Sequence, residues 1–255
     1  MKVVFLAGGF GTRLSEETEN KPKPLVEVGE NPILWHIMKH YEHYGFTEFI
    51  VALGYKGEAI KKYFMDYFNY GCDMKIDFAR GCVDVHDRAL ERWSVELIDT
   101  GLNTMTGGRI KRLEPWLGNE TFMVTYGDGV SDINLQDLLE FQRSEKRIAT
   151  VTAVRPPARF GGLEFDGNQV SAFTEKPQVG EGWINGGFMV FEPSVFDYIE
   201  GDNSSLESNV LEWLAREGQL SAYKHEGFWQ CVDTLRDLSY LNKLWNEGSA
   251  PWQIW

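Results

Sequence analysis

Cysteine is scarce in this chain. There are three, Cys72, Cys82 and Cys231, an odd number with no CxxC pair. That pattern argues against a disulfide framework or a cysteine zinc site and points to a reducing compartment. Positive charge is also in deficit, with 25 Lys and Arg against 38 Asp and Glu and a formal net charge of -13. An acidic surface argues against nucleic acid or an anionic membrane as the main partner. Any phosphate ligand must then be met by cations gathered locally. No apolar run approaches the roughly 20 residues that span a bilayer. The N-terminus enters a strand pattern at once, at Val3, Val4, Phe5 and Leu6, rather than a signal peptide. No internal repeat, low-complexity tract or clear linker interrupts the chain. These absences lead to the expectation of a cytoplasmic protein.

What is present suits one large α/β domain over residues 1–255. Lys2 to Ala7 reads as a buried first strand ending in a glycine-rich turn. Pro32 to Tyr44 reads as a helix, with Asn31 as its cap and Gly45 as its stop. Strands are expected at Phe49 to Leu53, Met74 to Ala79, Val95 to Ile98, Thr121 to Tyr126 and Ile148 to Val154. Helices are expected at Glu58 to Phe68 and after Asn134, where Leu135, Leu138 and Leu139 share a face. The alternation predicts an α/β fold with a mostly parallel, mixed sheet flanked by helices. In the second half, Leu163 to Phe165, Val170 to Phe173 and Phe188 to Phe191 read as short strands of a smaller second sheet. Helices at about Leu206 to Glu217 and Leu235 to Trp245 close the chain. The tail from Ala250 carries Trp252 and Trp255, which are expected to pack on the body or on another subunit.

The first chemical signal is Leu6-Ala7-Gly8-Gly9-Phe10-Gly11-Thr12-Arg13. Glycines after a first strand let backbone N–H groups turn toward phosphate. A dinucleotide fingerprint fails here for want of its third small residue, and no Gly-Lys-Ser/Thr follows to make a Walker A loop. Instead Arg13 ends the loop and Lys23 follows within Lys21-Pro22-Lys23-Pro24. Asp128 lies just after the Thr121–Tyr126 strand, where open α/β sheets place ligands. An ordinary turn aspartate is the alternative there. Three histidines, His36, His40 and His43, recur at helical spacing, which fits an amphipathic helix better than a metal stripe. Cys231 reads as a small packing residue, and Trp229 as a pocket residue or a core or interface one.

Taken with Lys21 to Leu25, the loop resembles the signature of the sugar-phosphate nucleotidyltransferases, also called nucleotide-sugar pyrophosphorylases. Further matching stretches are Gly54-Tyr55-Lys56-Gly57, Asp99-Thr100-Gly101, Met105 to Arg109, Tyr126 to Val130, Arg159-Phe160-Gly161, Glu175-Lys176-Pro177, Ile184 to Phe188, Gly227 to Gln230 and Ala250-Pro251-Trp252. They cover nearly the whole chain. The resemblance implies a Rossmann-like nucleotidyltransferase fold. It also implies transfer of CMP from CTP to glucose 1-phosphate, with residues up to about 155 handling the nucleotide and the remainder the acceptor and oligomer contacts. Under it, Leu6 to Arg13, Lys23, Thr104 and Arg109 hold the nucleotide. Arg13 neutralises the departing phosphates and Lys23 the reacting α-phosphate. Asp128 and Asp233 form the family-matched pair for Mg2+, which favours one or two carboxylates plus phosphate oxygens and water. The alternative for Asp233 is a helix cap before Thr234. Tyr126, Glu175, Lys176, Asn185 and Gly186 fall on the sugar-phosphate side. Nine tryptophans and the resemblance together predict a homo-oligomer larger than a dimer.

Two departures lie toward the acceptor half. The family pattern has a tryptophan–glutamate start to the helix near residue 206, where this chain reads Ser205-Leu206-Glu207, and it has proline where Cys231 stands. Another triphosphate or acceptor, a nucleotide-binding regulator without activity, and an NAD-dependent dehydrogenase stay open as rivals. The incomplete dinucleotide fingerprint weighs against the dehydrogenase.

Overall fold

A computed structural model of the chain describes residues 1–11, 21–88, 91–156, 162–166, 169–174 and 182–255. The first part of the chain gives strands β1 (Lys2–Leu6), β2 (Glu27–Val28), β3 (Asn31–Pro32), β4 (Glu48–Leu53), β5 (Cys72–Asp77), β6 (Cys82–Arg88) and β7 (Ser94–Asp99). Helices α1 (Ile33–His43) and α2 (Gly57–Tyr70) fall among them, and α3 (Thr106–Arg112) follows. Next come β8 (Phe122–Tyr126), β9 (Gly129–Ser131), α4 (Leu135–Glu145) and β10 (Ala149–Val154). The last part holds β11 (Gly162–Asp166), β12 (Gln169–Thr174), β13 (Ile184–Phe191), a π-helical turn at Leu206–Leu211 running into α5 (Glu212–Arg216), β14 (Leu220–Lys224), β15 (Trp229–Cys231) and α6 (Leu235–Asn246).

Seven strands make the central sheet in the order β14-β10-β13-β8-β1-β4-β7. All neighbours are parallel except β13, which runs antiparallel to β10 and β8. The apolar run of β1 is explained by helical layers on both sides. Val3 and Phe5 pack with Ile33, Ile37 and Tyr41 of α1. Val4 and Leu6 face the other way, onto Ile110 of α3 and onto Leu206 and Val210. A strand buried on both faces reads as continuous hydrophobicity rather than alternation, and each such side chain contributes about 1.5–3 kcal/mol by leaving water.

The structure moves several expected elements. Phe188 to Phe191 does not join a smaller sheet; it is the end of β13, at the middle of the main one. The expected strand at Met74 is β5, which pairs only with β6 in a two-stranded hairpin outside the main sheet. Leu163 and Val170 do begin a separate ladder, β11 with β12. Asn31 caps nothing: it lies in β3, and Pro32 precedes α1 without a side-chain capping bond. Asn134 caps α4 as expected, its side chain accepting from the N–H groups of Gln136 and Asp137. The strand β14 had no expectation, because Leu220 to Lys224 alternates weakly. Trp252 is 1% exposed and packs on the body beside His36, Phe228 and Trp245.

Candidate active site

The carboxyl ends of the parallel strands β1 and β8, with the segment that follows β7, open into a cavity of about 560 Å³. Its wall includes Leu6 to Gly11, Lys23, Thr104 to Thr106, Arg109, Tyr126, Asp128, Ser205, Glu207 and Asp233. Most of the residues expected to hold nucleotide and metal are therefore brought together, from stretches more than two hundred residues apart. Thr12, Arg13, Glu175 and Lys176 lie outside the described residues. A larger groove of about 800 Å³ runs along Tyr198, Asp202, Glu212, Trp213 and Glu217. It holds none of the expected site residues, and its acidic lining does not suit phosphate.

Lys23 stands at the centre of the charge. Its Nζ donates to Asp128 Oδ2 at 2.6 Å and to Asp233 Oδ1 at 2.7 Å. Local chemistry sets up both partners. Lys23 opens a 3-10 turn whose Pro24 and Leu25 are buried, so the lysine stem is anchored by its neighbours. Asp128 sits between β8 and β9. The pairing of β9 with β15, in register Cys231 to Gly129, and the bond from Val232 N–H to the Asp128 carbonyl bring the two aspartates to one place. The cap of α6 is Thr234, in a reciprocal box with Asp237. Asp233 is therefore not the cap, and its carboxylate turns to Lys23 instead. Burial works against the Lys23 ammonium, yet Asp128 and Asp233 outweigh it and raise its pKa above the usual lysine value. An ammonium held between two carboxylates marks a spot built for positive charge. The donor set fits a hard divalent cation completed by phosphate oxygens and water. Among the described residues no group of three or more His, Cys, Asp or Glu side chains gathers.

Arg109 supports the cavity from within. It is 4% exposed. Its Nη1 donates to the carbonyls of Leu53 and Gly101 and to Thr100 Oγ1, and its Nη2 to the carbonyls of Gly8 and Leu102. A buried cation is costly unless its donors are met, and here they are met by backbone from three segments. The two glycines beneath it are explained by the same contact. A Cβ on Gly8 would come within 2.3 Å of the guanidinium carbon, and one on Gly54 within 2.5 Å of Nη1. With the Gly8 carbonyl held inward by Arg109 and by Tyr55 N–H, the loop that follows faces the cavity. Phe10, Leu102 and Met105 leave half-exposed apolar surface near its mouth.

Of the residues expected on the acceptor side, Asn185 and Gly186 sit beside Tyr126 rather than in the cavity wall. Asn185 Oδ1 accepts from Gly187 N–H at 3.0 Å, and Gly186 offers its carbonyl to Trp229 Nε1 at 2.8 Å. Gly187, at φ +82°, leaves room for the Tyr126 ring, which its Cβ would meet at 2.4 Å. Burial pushes the Cys231 thiol up to about 12, with Asp233 and Asp128 adding to the shift. That leaves an inert packing thiol. His36 and His40 are buried and bonded to the carbonyls of Val28 and Ile133, as the packing reading of the stripe expects. Thr106, Ser205 and Glu207 also line the cavity; the sequence carries them only within the Met105 to Arg109 stretch and the departing helix start, with no site role of their own.

A family model for nucleotidyl transferases matches residues 2–247. The glucose-1-phosphate cytidylyltransferases of Salmonella typhi and Salmonella typhimurium are each 49% identical over 256 residues, covering 100% of both chains. Among solved structures, HddC from Yersinia pseudotuberculosis in complex with GMP-PN superimposes with a TM-score of 0.69 at 23% identity, over 96% of this chain and 99% of that one. The last likeness establishes the α/β fold.

Proposed function

The chain belongs to the nucleotidyl transferase family, and we propose that it transfers CMP from CTP to glucose 1-phosphate, giving CDP-glucose and pyrophosphate. The observation that carries this reading is the Lys23, Asp128 and Asp233 cluster in the glycine-loop cavity, taken with the full-length identity to the Salmonella enzymes.

An oxygen of the acceptor phosphate attacks the α-phosphorus of CTP. The bond to the β-phosphate oxygen breaks as the new one forms, and pyrophosphate leaves in line. No covalent enzyme intermediate is needed, so the protein positions two polyanions and stabilises charge. Backbone N–H groups of Gly9 to Gly11 hold the nucleotide phosphates on the platform that Arg109 fixes. Lys23 moves from its two carboxylates to the α-phosphate, and Arg13 meets the departing phosphates. Asp128 and Asp233 would hold Mg2+, which when bound would supply Lewis-acid polarisation of the phosphates. Lys176 grips the acceptor phosphate, while Glu175 and Asn185 select its organic part, Asn185 from beside Tyr126. Thr104 contributes to the nucleotide site.

None of the described helices is long and apolar enough to cross a membrane. The assembly reading, a homo-oligomer larger than a dimer, draws support from the β5–β6 hairpin. Its Phe78 is 90% exposed, and Tyr70, Ile76 and Val83 around it are at least half exposed. Two-stranded hairpins are marginal alone, and exposed apolar surface of this kind suits a subunit contact.

The test of function is pyrophosphate release across a panel of triphosphates and sugar 1-phosphates, with the nucleotide sugar identified by mass. CTP with glucose 1-phosphate is expected to give the highest kcat/KM. A tenfold preference for another pair would overturn the substrate assignment while leaving nucleotide transfer in place.

A further inference from the structure

Glu207 lines the same cavity as the glycine loop and Lys23, and the reaction described above gives it no task. Three hydroxyls converge on its carboxylate. Tyr126 Oη donates to Oε1 at 2.5 Å, and Thr106 Oγ1 and Ser205 Oγ donate to Oε2 at 2.7 and 2.9 Å. The direction of these bonds is fixed by their surroundings. Thr106 Oγ1 already accepts from Leu206 N–H, and Ser205 Oγ accepts from Ser208 N–H. A carboxylate has no hydrogen to give in return. Partial desolvation at the cavity wall works to lift the Glu207 pKa, but the three hydroxyls and its own backbone N–H outweigh it and hold the group below the usual carboxylate range.

Two consequences follow for a ligand. Tyr126 has spent its one hydrogen on Glu207 and its oxygen already receives Asn185, so toward the cavity it can only accept. Of the hydroxyl bonds only one reaches Glu207 Oε1, where a carboxylate oxygen can take two, and the residue stays exposed despite its partners. This part of the wall therefore offers lone pairs and no donors. Phosphate oxygens find nothing to bind there and meet a negative charge. A hydroxyl donates to such a wall and is held by it.

We infer that Glu207 and Tyr126 together read hydroxyl groups of a sugar ring and keep phosphate out of that part of the cavity. This rests on the nucleotide-transfer reading and extends it to a specificity element. Thr106 and Ser205 act as positioning residues, holding Oε2 so that Oε1 faces the ligand. The sugar has two possible sources, the ring of the acceptor and the ribose of the nucleotide, and the experiment separates them.

The test measures kcat/KM for wild type, Glu207→Gln and Tyr126→Phe with glucose 1-phosphate and its monodeoxy analogues at fixed CTP. It repeats the measurement with CTP against its 2′- and 3′-deoxy forms at fixed acceptor. In wild type, removing the hydroxyl that meets the wall is expected to cost tenfold or more, because the wall's polar groups are left unpaired. In both variants that same removal should cost less than threefold, since the partner is already gone, which is the non-additivity of two groups in contact. A pyranose hydroxyl showing this pattern places the acceptor ring at the wall, and a ribose hydroxyl places the nucleotide there. If every deoxy compound loses the same factor in wild type and in both variants, Glu207 is only a tie between α3 and the turn at Ser205, and the inference is overturned. Tyr126→Phe keeps the Thr106 and Ser205 ties, so it decides the matter if Glu207→Gln fails to fold. Should wild type release no pyrophosphate from any pair, the functional reading fails. The hydroxyl claim is then settled by calorimetric Kd values for the same glucose 1-phosphate series and for CTP and its deoxy forms.

Discussion

Lys23→Ala separates the resting role of the ammonium from its catalytic one. At rest, Lys23 Nζ bridges Asp128 and Asp233 at 2.6 and 2.7 Å. Without it, two carboxylates face each other across a space that held a cation. Removing one partner of a fully buried pair costs about 3–5 kcal/mol. The aspartate side chains here are 29% and 16% exposed, so solvent screening brings the expected loss nearer to about 1–3 kcal/mol. A divalent cation should relieve the same repulsion. The variant is therefore expected to bind Mg2+ more tightly than wild type in the absence of nucleotide, and to recover its lost stability as Mg2+ rises. At a hundred times Kd that linkage is worth about 2.7 kcal/mol. Turnover should behave differently. If Lys23 meets the charge that develops at the α-phosphate, kcat falls on the order of 10²–10³-fold, and no amount of Mg2+ restores it. The assays are denaturant midpoints with and without Mg2+, calorimetric Mg2+ titration of the free protein, and pyrophosphate release. Equal Mg2+ stabilisation of variant and wild type would refute the resting role. A change confined to KM would refute the catalytic one.

Other expectations follow from the same contacts. Asp128→Asn should fold yet lose most of kcat, and chelation should abolish wild-type turnover until Mg2+ is added back; full activity in chelator would remove the metal from the reaction. Burial lowers His36 and His40 to about 4 from about 6.5 in the unfolded chain. The unfolded state therefore binds more protons between pH 6.5 and 4, and stability should fall as pH drops through that window. The loss is about 3 kcal/mol per histidine, read from denaturant midpoints, and a flat profile there would contradict the burial argument. Phe78→Glu on the hairpin should reduce the assembly seen by sedimentation without lowering the melting temperature of the monomer fold; an unchanged oligomer would exclude the hairpin as a contact.

Much of the nucleotide half was legible because its signals are local. A buried strand followed by glycines, an Asn cap at residue 134 and a strand ending at Gly127-Asp128 each state their structure within a few residues. Errors arose where pairing is decided by distant partners. Phe188 to Phe191 is as apolar as a central strand should be, but nothing local says that it inserts antiparallel between β8 and β10. Met74 to Asp77 has strand composition, and only the absence of a helix between β5 and β6 could have hinted at a hairpin. The cap alternative for Asp233 arises because Thr234 and Asp237 supply a box one residue later. Glu207 carries no local signal of a site role, because the departure at this helix start is the missing tryptophan at 206 and the carboxylate's partners, Thr106 and Tyr126, lie far off in sequence.

Arg109 carries the same lesson into the chemistry. The resemblance assigns it to the nucleotide site, and it does reach the cavity wall. Its fork, however, is occupied by the carbonyls of Gly8, Leu53, Gly101 and Leu102. The glycine at 8, read from sequence as freeing the loop to meet phosphate, and the one at 54, noted only as part of a matching stretch, are both room for this side chain. A residue can thus belong to a nucleotide site by shaping its floor. Arg109→Lys keeps the charge but not the planar fork, and Gly54→Ala pushes the guanidinium from below without adding anything to the cavity wall. If the floor is what matters, both should weaken CTP binding and leave KM for the acceptor within about threefold, because only the nucleotide platform has shifted. If charge alone matters, Arg109→Lys should bind CTP nearly as well as wild type. Calorimetric Kd values for CTP, set beside acceptor KM values at saturating CTP, decide between the two.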